Sequence, residues 1–109
     1  MTGDRPYMLI RARTNERSRE KFAVWFRSVH LQDVSRIPGI AAVTSGRTAG
    51  GTHLGFYSFE ASDSVQDALS SPQAAYARGT WEQWAPHLEE LAIEIWTPLA
   101  PLPLYHSDS

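Results

Sequence analysis

The stretch Trp25-Phe26-Arg27-Ser28-Val29-His30-Leu31-Gln32-Asp33-Val34-Ser35-Arg36-Ile37-Pro38-Gly39-Ile40 decides how this chain folds. Phe22, Trp25, Phe26 and Val29 recur at i, i+3, i+4 and i+7, the spacing of one apolar helix face, and predict a helix from about Glu16 to Arg36. The other face carries Glu16, Arg17, Arg19, Glu20, Lys21 and Arg27, charges of both signs suited to a solvated surface. Pro38 lacks the amide hydrogen a helix needs and Gly39 accepts the positive φ of a tight turn. Ile37-Pro38-Gly39-Ile40 therefore ends the helix and launches a strand.

On the N-terminal side, Tyr7-Met8-Leu9-Ile10-Arg11-Ala12-Arg13 reads as a strand bounded by Pro6 and by Thr14-Asn15. Met8, Ile10 and Ala12 share one face; Tyr7, Leu9, Arg11 and Arg13 share the other. Beyond the turn, residues 40–47 form a weakly apolar strand, Ala49-Gly50-Gly51 a hairpin loop, and residues 52–60 a third strand. In it Leu54, Phe56 and Ser58 alternate with His53, Gly55, Tyr57 and Phe59, so both faces are largely apolar. Ser62 or Asp63 offers an N-cap, with Asp63 and Gln66 at capping-box spacing, for a helix that buries Val65, Ala68 and Leu69. Pro72 interrupts it, a helical composition resumes at Ala74, Gly79-Thr80 breaks it again, and Trp81-Glu82-Gln83-Trp84 begins another turn. Residues 88–96 supply the last strand, with Leu91, Ile93 and Ile95 opposed to Ala92, Glu94 and Trp96.

The order β-α-β-β-α-β is the split βαβ, ferredoxin-like arrangement: an α+β fold with an antiparallel four-stranded sheet and two main helices on one face. The 109 residues form a single domain, with a core of about residues 7–97 and a proline-rich tail over 98–109. Its stretch 98–105 is apolar and is expected to pack along a partner subunit, before Ser107-Asp108-Ser109 frays. The helix-free sheet face is too apolar to leave in water, and a second copy of the same sheet is its simplest cover, so a homodimer through the sheet faces is expected.

Composition narrows the function classes. Hydrophobic residues make up 42% and charged residues 20%, which predicts a packed core, and the net charge of -2 lacks the basic excess that nucleic-acid binding requires. The absence of cysteine excludes disulfides, thiolate metal sites and cysteine nucleophiles, and is compatible with a cytoplasmic home. No run approaches the roughly 18 apolar residues of a membrane span, so no membrane partner is expected. His53, His87 and His106 lack the spacing and acidic neighbours of a zinc site, and no phosphate loop, dinucleotide fingerprint or nucleophile elbow occurs, so neither metal nor cofactor is expected.

His30 and Asp33 are the residues that point to chemistry. At three residues' spacing near a helix end, Asp33 is placed to hydrogen-bond one ring nitrogen of His30, leaving the other to face a sheet–helix cleft as general acid or base. A plainer reading makes the pair a polar helix terminus, with the imidazolium favoured by the helix dipole. Both readings favour the charged ring and predict a His30 pKa above about 6.5 unless burial dominates. Tyr57, Trp81 and Trp84 are candidates for an aromatic pocket wall, although packing is the commoner role for each ring taken singly. Arg11 and Arg13 place cations on a strand face shared with Leu9, which suits either a solvated sheet edge or an anionic substrate group.

Trp25, the sequence His30-Leu31-Gln32-Asp33 and the turn Pro38-Gly39 resemble the EthD-like branch of the dimeric α/β-barrel superfamily, which shows an aromatic helix, an H-L-x-[DE] setting and a Pro-Gly turn. The third strand leading into Asp63, Ala68-Leu69-Ser70-Ser71-Pro72, Tyr76 and Trp81 is similar to that branch's second half, and the likeness covers most of residues 7–98. It implies a homodimer whose two sheets close into a barrel, with a small-molecule cleft between each sheet and its helices. Relatives include isomerases, cofactor-free monooxygenases and haem-degrading enzymes.

The resulting expectation is a small cofactor-free enzyme acting on a small cyclic or aromatic molecule by histidine acid–base chemistry of isomerase, lyase or monooxygenase type. Its catalytic residues would be His30 and Asp33; Tyr57, Trp81, Trp84, Arg11 and Arg13 would bind substrate. The alternatives are a non-catalytic ligand-binding or stress-associated accessory protein, and a haem-binding or haem-degrading one.

Overall fold

A computed structural model describes residues 5–97 of the chain. Four strands, β1 (Tyr7–Thr14), β2 (Ile40–Arg47), β3 (His53–Phe59) and β4 (Leu88–Trp96), form one sheet in the order β2-β3-β1-β4, every neighbouring pair antiparallel. Alternation decides what each face carries. Met8, Ile10 and Ala12 of β1 face the helices with His53, Gly55, Tyr57 and Phe59 of β3, and all seven are buried. Tyr7, Leu9 and Arg11 share the opposite face with Ser58, Phe56 and Leu54. The fold and strand faces expected from the sequence are the ones observed.

Between β1 and β2 the chain runs through a 3₁₀ turn (Glu16–Ser18), α1 (Arg19–Trp25), a π-helical turn (Phe26–His30) and α2 (Leu31–Ser35). Asn15 caps the entry, its side chain accepting from the Ser18 amide at 3.0 Å. The π turn corrects the predicted apolar stripe. A wider turn carries one extra residue, so the face toward the sheet is filled by His30, 1% exposed, rather than Val29, which is 39% exposed. Val34 and Ile37 then continue the buried face. Gly39, at φ +93°, makes the turn into β2.

In the second half, α3 (Ser64–Leu69) follows Asp63 without the expected capping box, since the Asp63 side chain makes no cap bond. The working cap lies at Ser71, whose Oγ accepts from the Ala74 amide at 3.1 Å with Pro72 opening α4 (Pro72–Gly79). A 3₁₀ segment (Thr80–His87) then carries Trp81 and Trp84 back against the first helix.

The core has two parts. Met8, Ile10, Val34, Ile37, Tyr57, Phe59, Ala68, Ala74 and Ala77 form one, and Ala12, Phe22, Trp25 and Phe26 form the other. Leu31 and Trp81 pack against both. The expected packing of residues 98–105 on a partner lies outside the described residues.

Candidate functional site

His30 stands at the end of the π turn, turned onto the sheet, and its Nε2 lies 2.7 Å from the Tyr57 hydroxyl oxygen. Tyr57 reaches it from β3 because of a glycine two residues earlier on the same face. A Cβ at Gly55 would collide with Oη and Cζ of Tyr57, so the phenol lies directly over a position only glycine leaves open. The imidazole is boxed by rings: Trp25 stacked at 5.6 Å, Phe26 at 4.9 Å, and Trp81 edge-on at 5.0 Å.

Burial sets the electrostatics. Removal of the ring from water pushes the His30 pKa down to about 4, and the same cause raises that of the Tyr57 phenol. Both are neutral at pH 7, and one proton is shared along the contact. With the proton on Nε2, the imidazole donates to Tyr57 and Nδ1 keeps a free lone pair; with it on Nδ1, the phenol donates to Nε2. In either tautomer Nδ1 is buried and has no partner. A buried ring nitrogen left unpaired costs roughly 1–3 kcal/mol, which makes it a point where a ligand atom gains by arriving.

The structure does not pair His30 with Asp33. Asp33 is buried, but its Oδ1 faces Arg36 at 3.6 Å and its Oδ2 is unpaired. The π turn is the reason: it swings His30 over the sheet, while Asp33 faces a separate cleft of about 240 Å³ shared with Arg36, Pro72, Gln73 and Tyr76. The expected rise in the His30 pKa is likewise reversed, because desolvation is uncompensated by a carboxylate.

Of the other predicted site residues, Tyr57 and Trp81 contact His30. Trp84 stands one ring further out, against Phe22 at 5.1 Å and Trp25 at 5.6 Å, with its indole nitrogen buried and unpaired. Arg11 and Arg13 are not brought to this site. Strand alternation sets them on the helix-free face, where Arg11 pairs with Glu90 at 3.5 Å and Arg13 with Glu90 at 3.2 Å and Glu89 at 3.4 Å. Their charges are met by carboxylates of β4. Gly55 was not singled out by the sequence reading, although a glycine inside an otherwise apolar strand is the usual signal of a close approach. Among the described residues no group of three or more His, Asp or Glu side chains is placed to hold a metal ion.

On the helix-free face, Tyr7, Leu9, Thr44, Phe56 and Trp96 line an apolar concavity of about 410 Å³, with Trp96 56% exposed.

Known structures share this architecture. An EthD family protein from Bacillus halodurans superposes with a TM-score of 0.68 at 14% identity, over 86% of this chain and 99% of that one. The cofactor-independent oxygenase SnoaB from Streptomyces nogalater gives a TM-score of 0.66 at 16% identity, over 94% and 100%. The fold is the ferredoxin-like α+β fold of EthD-type proteins. A third protein with this ferredoxin-like fold, Rv0793 from Mycobacterium tuberculosis, gives 0.63 at 15% identity, over 88% and 97%. No protein-family model and no curated protein sequence matches the chain. At these identities the likeness speaks for the ferredoxin-like fold, while residue roles rest on the geometry above.

Proposed function

We propose that the protein is a small cofactor-free enzyme that moves a proton on a small cyclic or aromatic molecule, with His30 as the base and Tyr57 as its positioning partner. The observation that carries this reading is the neutral, ring-boxed His30, bonded through Nε2 to Tyr57 and unpaired at Nδ1. A base with a low pKa in the empty protein is fully unprotonated at pH 7. When Nδ1 takes a proton from an activated C–H or O–H, the substrate becomes an anion beside the new imidazolium. The ion pair so formed offsets the desolvation that depresses the empty-state pKa. Such a step is common to isomerisation, elimination and cofactor-free oxygenation. The aromatic box suits a planar apolar substrate. Trp81, in contact with His30 and itself partly exposed, is the ring that swings aside to admit it.

The protein works as a homodimer in this proposal, the apolar concavity of the helix-free face being covered by the same face of a second copy. The likeness in fold to a cofactor-independent oxygenase supports the oxygenase form of the reaction over the others.

The test is oxygen uptake and absorbance change with a panel of hydroquinones, naphthols and anthrones under metal chelation. At least one compound is turned over; His30→Gln lowers its kcat at least 100-fold while Kd changes less than fivefold. Saturable binding with no turnover, or turnover indifferent to His30→Gln, overturns the enzymatic reading, and the first result establishes the non-catalytic binding alternative.

A further inference from the structure

A third cleft, of about 390 Å³, opens between α1 and the β2–β3 hairpin, lined by Arg19, Glu20, Ala23, Val24, Arg47, Gly51 and His53. His53 and Arg47 are cross-strand partners at the hairpin end of the sheet. His53 is only 9% exposed, and its Nδ1 is buried without a partner. Its ring rests on Phe22 and Phe26, each at 5.3 Å, which fixes its plane.

The two arginines of the cleft differ. Arg19 is already engaged, donating from Nε to the Thr14 carbonyl at 3.3 Å and facing Glu89 at 3.7 Å. Arg47 is exposed and has no carboxylate within ion-pair distance among the described residues. Its charge acts on His53 instead, adding to burial in lowering that pKa. Glu20 is the one carboxylate lining the cleft, against two arginines of which Arg47 alone has no carboxylate at ion-pair distance among the described residues. Ala23 and Val24 contribute an apolar wall, Val24 being 56% exposed.

We infer that this cleft is a binding site for a small organic carboxylate, its carboxyl group held by the Arg47 guanidinium and by the unpaired ring nitrogen of His53, and its apolar body laid against Ala23 and Val24. A planar guanidinium matches a carboxylate with two parallel hydrogen bonds, and a neutral imidazole supplies the third donor once its proton sits on Nδ1. An inorganic anion satisfies the charge but leaves the Ala23 and Val24 wall wet. The site is separate from the His30–Tyr57 pair, with Phe26 between them: its ring meets His53 on one side and His30 at 4.9 Å on the other.

The test is a titration of the ¹⁵N-labelled protein with benzoate, and in parallel with inorganic phosphate at matched ionic strength, followed at the His53 ring and the Gly51 amide. Benzoate produces a saturable shift at both, phosphate binds at least tenfold more weakly, and Arg47→Ala weakens benzoate at least tenfold. His53→Gln, which keeps a side-chain donor, weakens it less than Arg47→Ala does. Arg78→Ala, which removes a guanidinium remote from the cleft, leaves it unchanged. Absence of a saturable benzoate shift, equal binding of phosphate, or indifference to Arg47→Ala each overturns the inference. None of these readings depends on turnover at His30.

Discussion

The two halves of the core are built from different materials. Around Val34 and Ile37 the helices meet the sheet through Met8, Ile10, Phe59 and the small residues Ala68, Ala74 and Ala77. Around Phe22 and Phe26 they meet it through rings, and the buried nitrogens of His30, His53 and Trp84 stand among those rings without a full set of partners. Close-packed aliphatic side chains carry no polar atoms of their own, and that half serves as scaffold, with the unpaired Oδ2 of Asp33, next to Val34 in the chain, as its exception. The aromatic half tolerates unpaired donors and acceptors at a cost of roughly 1–3 kcal/mol each, and under the proposed function that cost is kept for binding rather than for stability. Tyr57 joins them, packed in the aliphatic cluster and bonded to His30 in the aromatic one.

The largest effects come from emptying either half. Phe59→Ala and Phe22→Ala each remove a fully buried ring and cost about 3–5 kcal/mol in denaturant unfolding. Only Phe22→Ala also alters the His53 ring resonances, because only Phe22 touches that ring. If Phe59→Ala perturbs His53 equally, the halves are not independent.

Acid separates the halves next. The unfolded chain protonates His30 near pH 6.5, while the folded ring resists until about pH 4, so between these values the unfolded state holds more protons. Stability is complete above pH 6.5 and declines as the pH falls toward 4, by roughly 3 kcal/mol from His30. The lowered pKa of His53 acts in the same direction. Urea midpoints measured across this range fall steeply in the wild type and less steeply in His30→Gln; parallel slopes would assign the acid sensitivity to other groups.

Tyr57→Phe removes one hydroxyl from the junction and leaves His30 with neither nitrogen paired, at a cost of about 1–3 kcal/mol. Gly55→Ala reaches the same end sterically, by driving the phenol off its seat. Both variants therefore lose stability and His30-dependent turnover together, checked by thermal unfolding beside the activity assay. The smallest effect belongs to the helix-free face. Glu90→Gln weakens pairs to Arg11 and Arg13 that are substantially exposed, and changes stability by less than about 1 kcal/mol.

Much of this molecule was legible in residue order. The alternation of Met8, Ile10 and Ala12 against Leu9 and Arg11 gave the faces of β1 correctly, and Pro38-Gly39 marked the turn into β2. His30 stands out in the sequence as a residue that points to chemistry, whereas its hydrogen-bond partner Tyr57 does not. A stripe counted at 3.6 residues per turn puts Val29 inward and His30 aside, and nothing in Phe26-Arg27-Ser28-Val29-His30 announces the π turn that sets the His30 ring against those of Trp25 and Phe26. Local spacing favours Asp33, three residues away, over Tyr57, twenty-seven residues away and reachable only through the sheet. From the sequence alone Arg11 and Arg13 suit a solvated sheet edge and an anionic ligand group equally, because the carboxylates they face, Glu89 and Glu90, lie more than seventy residues along the chain.

The central claim is that His30 works with Tyr57 and not with Asp33. Its most direct test is a ¹⁵N NMR titration of the His30 ring in the wild type, Tyr57→Phe and Asp33→Asn. The expected result is a neutral ring down to about pH 4 in the wild type, an Nε2 resonance that moves in Tyr57→Phe, and a titration unchanged in Asp33→Asn. A wild-type ring that charges at or above pH 6.5, with a midpoint that falls in Asp33→Asn, would contradict it.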